Sequence, residues 1–334
     1  MPNHRASELS VLPLVRLFGA RSPWAVGIGT TLLLGAIGSL AILVGASQGV
    51  SEARLDSSTA QLWVNSTATG YVLGLLIFET RRLCADFASI RPQLVDPGPL
   101  DLPDLFMCNH HPRSLTAVTI FGAAFGAYFN YSTNGLLHQL VHGRTLAWEY
   151  AWGPLVLLTL WTVVFHVLWV LIDNARLLAR IARQHVRVDL ARLAVFDLFA
   201  NTGIRHLLMI IVGLTVIPVQ SIMTGSLNPI DFVPALAVVL PVGMLLLVLP
   251  IYGAHQAIAV QITRELRKID GLLEAAAPLS DRHLLLALYR QQLADTPAWP
   301  LSLRALARIA LYLVIPPLAW VAAALVESLV NEAL

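Results

Sequence analysis

Seven windows of this chain are long and nearly free of charge, and the arginines between them gather on one side. A bilayer's hydrocarbon core is about 30 Å thick, so a crossing helix needs roughly 20 apolar residues. Windows of that kind stand at about 24–47, 62–78, 115–131, 151–172, 206–223, 233–255 and 307–326. Leu32–Leu34, Leu155–Val164 and Val238–Leu249 leave no polar face for water. The second and third windows are short and carry Asn65 and Asn130. A mean hydropathy of +0.70 fits the same reading and sets aside most soluble folds. The expected fold class is therefore all-α, a polytopic membrane protein of seven transmembrane helices.

Lys and Arg accumulate in loops on the cytoplasmic side, and this sets direction. Twenty of the 22 basic residues fall in alternate loops that share one side. Arg5, Arg16 and Arg21 precede the first window; Arg81, Arg82, Arg91 and Arg113 separate the second from the third. Arg176, Arg180, Arg183, Arg187, Arg192 and Arg205 follow the fourth, and Arg264, Arg267, Lys268, Arg282, Arg290, Arg304 and Arg308 follow the sixth. Only Arg54 and Arg144 fall on the other side, which holds Glu52, Asp56, Glu149, Asp231, Glu327 and Glu332. The expected topology is N-terminus in, C-terminus out, with the first apolar run kept as an anchor rather than cleaved. A single lysine among these cations points to a GC-rich bacterial genome, hence to the inner membrane. Cys84 and Cys108 share the second cytoplasmic loop, where thiols stay reduced.

Small residues repeat every four positions along three windows: Gly27, Thr31, Gly35 and Ser39; Ser66, Gly70 and Gly74; Gly122 and Gly126. Such strips let helix backbones approach closely inside lipid. The C-terminal half is built differently. From Ala151 to about Val188 no Gly follows Gly153 and no Pro follows Pro154, which predicts a helix about 55 Å long. Its far end carries Arg176, Arg180, Arg183 and Arg187, a face for solvent or anionic lipid, or for acids such as Asp189, Glu265 and Asp270. The sixth window runs on to Glu274 with Ile258, Ile262, Leu266, Ile269 and Leu273 in a seam. Ala275–Pro278 ends that helix, and Ser280 is placed to cap the next. Three parts follow: a cytoplasmic segment, 1–23; a three-helix membrane unit, 24–150; and a four-helix membrane unit, 151–334, with cytoplasmic helical extensions at 176–205 and 256–304.

Ionisable groups inside a membrane are costly and rare, so each is a candidate. His166 and Asp173, seven residues apart on one face, with His255 at the end of the sixth window, form a candidate relay. The plainer reading is a neutral histidine hydrogen-bonded within the bundle. His138 and His142 stand four apart on the outer side, while Cys108, His110 and His111 cluster on the inner one. Each group falls short of a metal site, which needs three or four convergent ligands. No catalytic residue, resident metal or cofactor is expected. The lone lysine, Lys268, excludes a phosphate-binding GxxxxGK[ST] loop and a Schiff base within the bundle. Nucleic acid has no support beyond the arginine face, and the expected partners are lipid and other copies of the chain.

The last window holds Tyr312, Ile315, Pro316–Pro317 and Trp320, then Glu327 at its outer mouth. Around a symmetry axis, Glu327 would form an acidic ring selecting cations above an apolar constriction. Seven spans with this orientation, cytoplasmic extensions of spans four to six and a hairpin before a short final span resemble insect gustatory- and odorant-receptor-type channels. The resemblance implies a tetramer joined through the extensions, with the last span lining the pore. Leu249–His255 and Ile315–Trp320 also look like uncharacterised bacterial multi-pass proteins, which imply no activity. The leading expectation is a homo-oligomeric, cation-preferring channel lined by Tyr312, Ile315, Trp320 and Glu327. The alternative is a secondary transporter or small-molecule sensor with a cavity near His166 and Asp173.

The orientation is testable with fusions. Green fluorescent protein ahead of Met1 should fluoresce, and alkaline phosphatase after Leu334 should be active; the opposite pattern would reverse the topology.

Overall fold

The computed structural model describes residues 22–46, 52–94, 112–132, 152–190, 193–214, 233–276, 280–301, 305–311 and 314. Among the described residues the named helices are α1 (Pro23–Ala46), α2 (Glu52–Ile90), α3 (Pro112–Ser132), α4 (Trp152–Gln184), α5 (Asp197–Leu214), α6 (Val233–Ala275) and α7 (Asp281–Ala294), and 305–311 are helical as well. Two 3₁₀ turns, Arg91–Gln93 and Leu193–Phe196, follow α2 and precede α5. Among the described residues no strand occurs; one bridge joins Leu94 to Val186. Three helices hold stretches long and apolar enough to cross a membrane: Pro23–Val44, Pro154–Gln184 and Pro241–Ala275.

α1 and α2 pack through their small residues. A Cβ on Gly27 would stand 3.1 Å from the Gly70 carbonyl oxygen, and one on Gly74 would lie 2.9 Å from the carbonyl oxygen of Pro23. At Gly70 it would run into Thr31 Oγ1 and the Gly27 carbonyl oxygen. Thr31 lies against α2 and donates to its own helix at Gly27 O (3.1 Å). The glycines of α3 serve another neighbour: Gly122 faces Thr162 and Gly126 faces Leu158, both on α4. That close approach seats Phe125 edge-on against Trp161 at 4.7 Å and Phe121 against Phe165 at 5.0 Å.

α4 and α6 outrun their apolar windows as the sequence predicts, and α2 does so unexpectedly. It has 39 residues, about 58 Å, although only 62–78 read as a span. Its continuation places Leu83, Phe87 and Ile90 at i, i+4 and i+7, all buried. They meet Leu178, Ile181 and Ala182 of α4, Phe196 and Phe199, and Ala254, Ala257 and Ile258 of α6 in one apolar cluster. A second cluster joins Leu76 of α2, Leu168, Leu171 and Ala175 of α4, Ile210 of α5 and Leu246 of α6. Four helices therefore share two stacked cores.

α6 stays helical through Pro241 and Pro250 for 43 residues, ending at Ala275. Ser280 then caps α7, its side chain accepting from the His283 amide at 3.2 Å. α7 lies against α6, tied by Arg290 Nε to Asp270 Oδ1 at 2.6 Å. α4 ends at Gln184, so Arg187 falls beyond the helix and does not extend its arginine face. Arg183, exposed, donates to Ala179 O (3.2 Å) and Gln256 Oε1 (3.3 Å) along the helix surface.

Gly70→Val should destabilise the α1–α2 contact by about 1–3 kcal/mol, because backbone cannot move aside as a side chain can. Gly29→Ala, with nothing within 4 Å of the added Cβ, should be close to neutral. Equal unfolding midpoints for the two variants in a detergent denaturation series would contradict this packing.

Candidate functional site: a buried ionic layer between α2 and α5

Between the two apolar cores the chain buries charge. On α2, Glu79 follows Leu76 of one cluster and precedes Leu83 of the other by about one turn each. On α5, Arg205 and His206 lie between Phe199 and Ile210 in the same way. Glu79 is 1% exposed and His206 is sealed completely. A carboxylate there costs several kcal/mol unless donors surround it.

Three donors do so. Arg205 grips Glu79 with two prongs, Nε to Oε2 at 2.7 Å and Nη2 to Oε1 at 2.8 Å. His206 Nε2 lies 2.9 Å from Glu79 Oε1. An ionised carboxylate only accepts, so Nε2 carries the hydrogen. Arg205 Nη1 reaches Asp86 Oδ2 at 3.0 Å, and Arg82 Nε lies 3.2 Å from Asp86 Oδ1. The result is a ladder in which charge alternates from Arg82 through Asp86 and Arg205 to Glu79 and which ends on the His206 ring. It runs from a surface arginine, 57% exposed, to the fully buried imidazole.

Local sequence explains each position. Glu79 and Asp86 are seven residues apart, two turns, so they share a face of α2 and one guanidinium spans them. Gly203 lets α5 approach α6, since a Cβ there would stand 2.7 Å from the Leu247 carbonyl oxygen. Tyr71 OH on α2 donates to Met209 O at 3.3 Å and fastens α2 to α5 nearer α5's end.

Electrostatics follow the geometry. Burial pushes the Glu79 carboxyl up, but the hydrogen bonds and charges of His206 and Arg205 outweigh it and hold it below the ordinary 4.5. Burial pulls Arg205 down; Glu79 and Asp86 more than restore it, and its proton is held above the usual range. The Cys84 thiol, half-buried on α2, is pushed up by burial and is a poor nucleophile near neutral pH.

The residues anticipated from sequence sit apart from this layer. His166 lies between α3 and α4, with Nε2 3.1 Å from Thr119 Oγ1 and Nδ1 3.1 Å from Thr162 O, the hydrogen-bonded arrangement of the plainer reading. Asp173 faces Arg176 at 3.8 Å. His255 donates through Nδ1 to Ala298 O at 3.1 Å and stacks on Trp299 at 4.2 Å. The hydrogen bonds of His166 and His255 go to Thr119, Thr162 and Ala298, on separate parts of the bundle. Tyr312, Ile315, Trp320 and Glu327 lie outside the described residues, as do His138, His142, Cys108, His110 and His111. Among the described residues no group of three His, Cys, Asp or Glu side chains is placed to hold a metal.

Comparison with protein-family models, curated proteins and solved structures finds no match. The ionic layer is accordingly read from its own chemistry. In sequence Arg205 reads as one more loop charge, and no local motif singles out Glu79 or His206. The available signal was an acid closing one apolar window and an Arg-His pair opening another.

Glu79→Ala leaves Arg205 and His206 facing an empty position and should cost about 3–5 kcal/mol. Because folding lowers the Glu79 proton affinity, its stabilisation is present above pH 4.5 and declines as the pH falls through and below that value. Glu79→Gln should flatten the acid limb of a thermal-stability profile; an unchanged limb would show that Glu79 does not govern it.

Proposed function

We propose that the chain is an integral membrane transport protein, working within one subunit, in which the ionic layer couples passage of an ion or small solute to movement of α5 against α2. The observation that carries this is the layer itself: a carboxylate and an imidazole sealed between apolar cores and held by a partly buried arginine. Ionisable groups buried in a membrane bundle are costly and commonly mark ion paths and proton relays in pumps and transporters, and this layer lies at the edge of two apolar windows. The seven-span, N-in/C-out arrangement in a bacterial inner membrane is part of this proposal. It is supported by the arginine distribution and by helices at 23–46, 52–90, 112–132, 152–184, 197–214 and 233–275.

A homo-oligomeric, cation-preferring channel lined by Tyr312, Ile315, Trp320 and Glu327 is the second reading. One observation favours it. Leu284, Leu285 and Leu288 of α7 are 51–67% exposed, beside a stretch of α6 carrying Arg264, Glu265, Arg267, Lys268 and Asp270. An apolar stripe amid such charge fits burial against another protein chain better than against lipid tails.

Proteoliposomes adsorbed on a solid-supported membrane separate the two. Steps in Na⁺, K⁺ or H⁺ concentration should evoke currents from the wild type. Arg205→Lys, which keeps the charge but loses the two-pronged grip, should reduce them several-fold. Currents indifferent to Arg205→Lys but altered in cation selectivity by Glu327→Gln, from a protein that is oligomeric in nanodiscs, would favour the channel.

A further inference from the structure

Within the ionic layer one atom has no hydrogen-bond partner among the described residues: Nδ1 of His206, on a side chain with 0% exposure. Buried polar atoms without partners are few in native proteins and call for a specific explanation. A structural clamp would need only the Nε2–H···Glu79 bond, which is already made at 2.9 Å. The second nitrogen is surplus to that purpose.

The surroundings favour a cation at this nitrogen. Along the ladder the charges read positive, negative, positive, negative from Arg82 to Glu79, and His206 completes the alternation when it is protonated. Charged neighbours are few. α2 contributes Glu79 and Asp86, with Arg82 behind them, and α5 contributes Arg205. α4 and α6 line this level with Leu171, Ala175, Leu246 and Leu247. On α4, Asp173 and Arg176 face each other; on α6, His255 is occupied by Ala298 O. Imidazole is also the side chain whose ordinary titration spans neutral pH.

We propose that His206, backed by Glu79, is a proton-binding site: hydronium or a buffer acid gives up its proton, leaving water or the conjugate base, and the proton joins the Nδ1 lone pair. The imidazolium then donates through Nε2–H to the Glu79 carboxylate, which already holds Arg205. The ligand class is the proton itself, and the site's role as the coupling step rests on the transport reading above. Loading it draws Glu79 toward His206 and loosens its hold on Arg205, the side chain that bridges Glu79 and Asp86.

The test is proton uptake by the full-length protein in detergent, stepped in weak buffer from about pH 8 to about pH 5, across the ordinary imidazole range. The wild type should take up one proton per chain more than His206→Gln, whose side chain keeps an N–H for Glu79 but does not titrate. Glu79→Gln retains the imidazole and removes its counter-charge, so uptake should move to lower pH. Equal uptake by wild type and a His206→Gln protein that elutes as a folded species would overturn the proposal. If His206→Gln does not fold, an uptake curve unmoved by Glu79→Gln overturns it instead. The extra proton in a wild type that passes no current would remove the transport reading and leave the site standing.

Discussion

The interaction on which the bundle depends is the two-pronged grip of Arg205 on Glu79. It joins residues 126 positions apart, on helices that belong to different halves of the chain. The pair sits between two apolar cores, and that position decides its physics. With water excluded, the carboxylate needs every donor it has, and the guanidinium needs both acids. Its partners are correspondingly constrained. α5 must present Arg205 and His206 together, which fixes its rotation, and α2 must remain helical past Glu79 to deliver Asp86 two turns on. The cluster around Phe87, Phe199 and Ile258 then has a floor, and the cluster around Leu171 and Leu246 a ceiling.

Close backbone approach sets the rest of the geometry. Gly27, Gly70 and Gly74 bring α1 onto α2, Gly122 and Gly126 bring α3 onto α4, and Gly203 brings α5 onto α6. Van der Waals packing of this kind works without water, so the apolar part of the bundle does not need hydrophobic collapse between helices. Where charge returns, the contacts change character: Arg183 with Gln256, Arg290 with Asp270 and Lys268 with Glu265 are exposed pairs of modest worth. The stability of that end comes from its apolar cluster. Its surface ion pairs add orientation more than energy.

Much of this was legible in advance, because helix signals are local. The absence of Gly and Pro after Pro154 gave α4 its length, Ala275 ended α6, and Ser280 capped α7. The four-residue spacing of glycines identified the faces that pack, though not which helix each would meet. α2 was harder: Glu79, Arg81, Arg82 and Asp86 after an apolar window look like the start of a loop. In the structure they are the polar faces of a continuing helix whose other face carries Leu83, Phe87 and Ile90. His166 stands alone in an apolar run of sequence, yet it is hydrogen-bonded within the bundle to Thr119 and Thr162.

Sequence alone established the all-helical class, because composition and the 3.6-residue period act within one segment and need no partner. It also marked where apolar runs begin and end, and with them the places where a charge sits at a boundary. Only tertiary structure decided that two such boundaries coincide. Whether Glu79 meets water or Arg205 depends on how α2 and α5 are brought together across 126 residues, and no local pattern encodes that distance. Burial then converts an ordinary Glu, Arg and His into a coupled group, since the strength of a charge pair follows the water around it rather than the residues beside it in the chain.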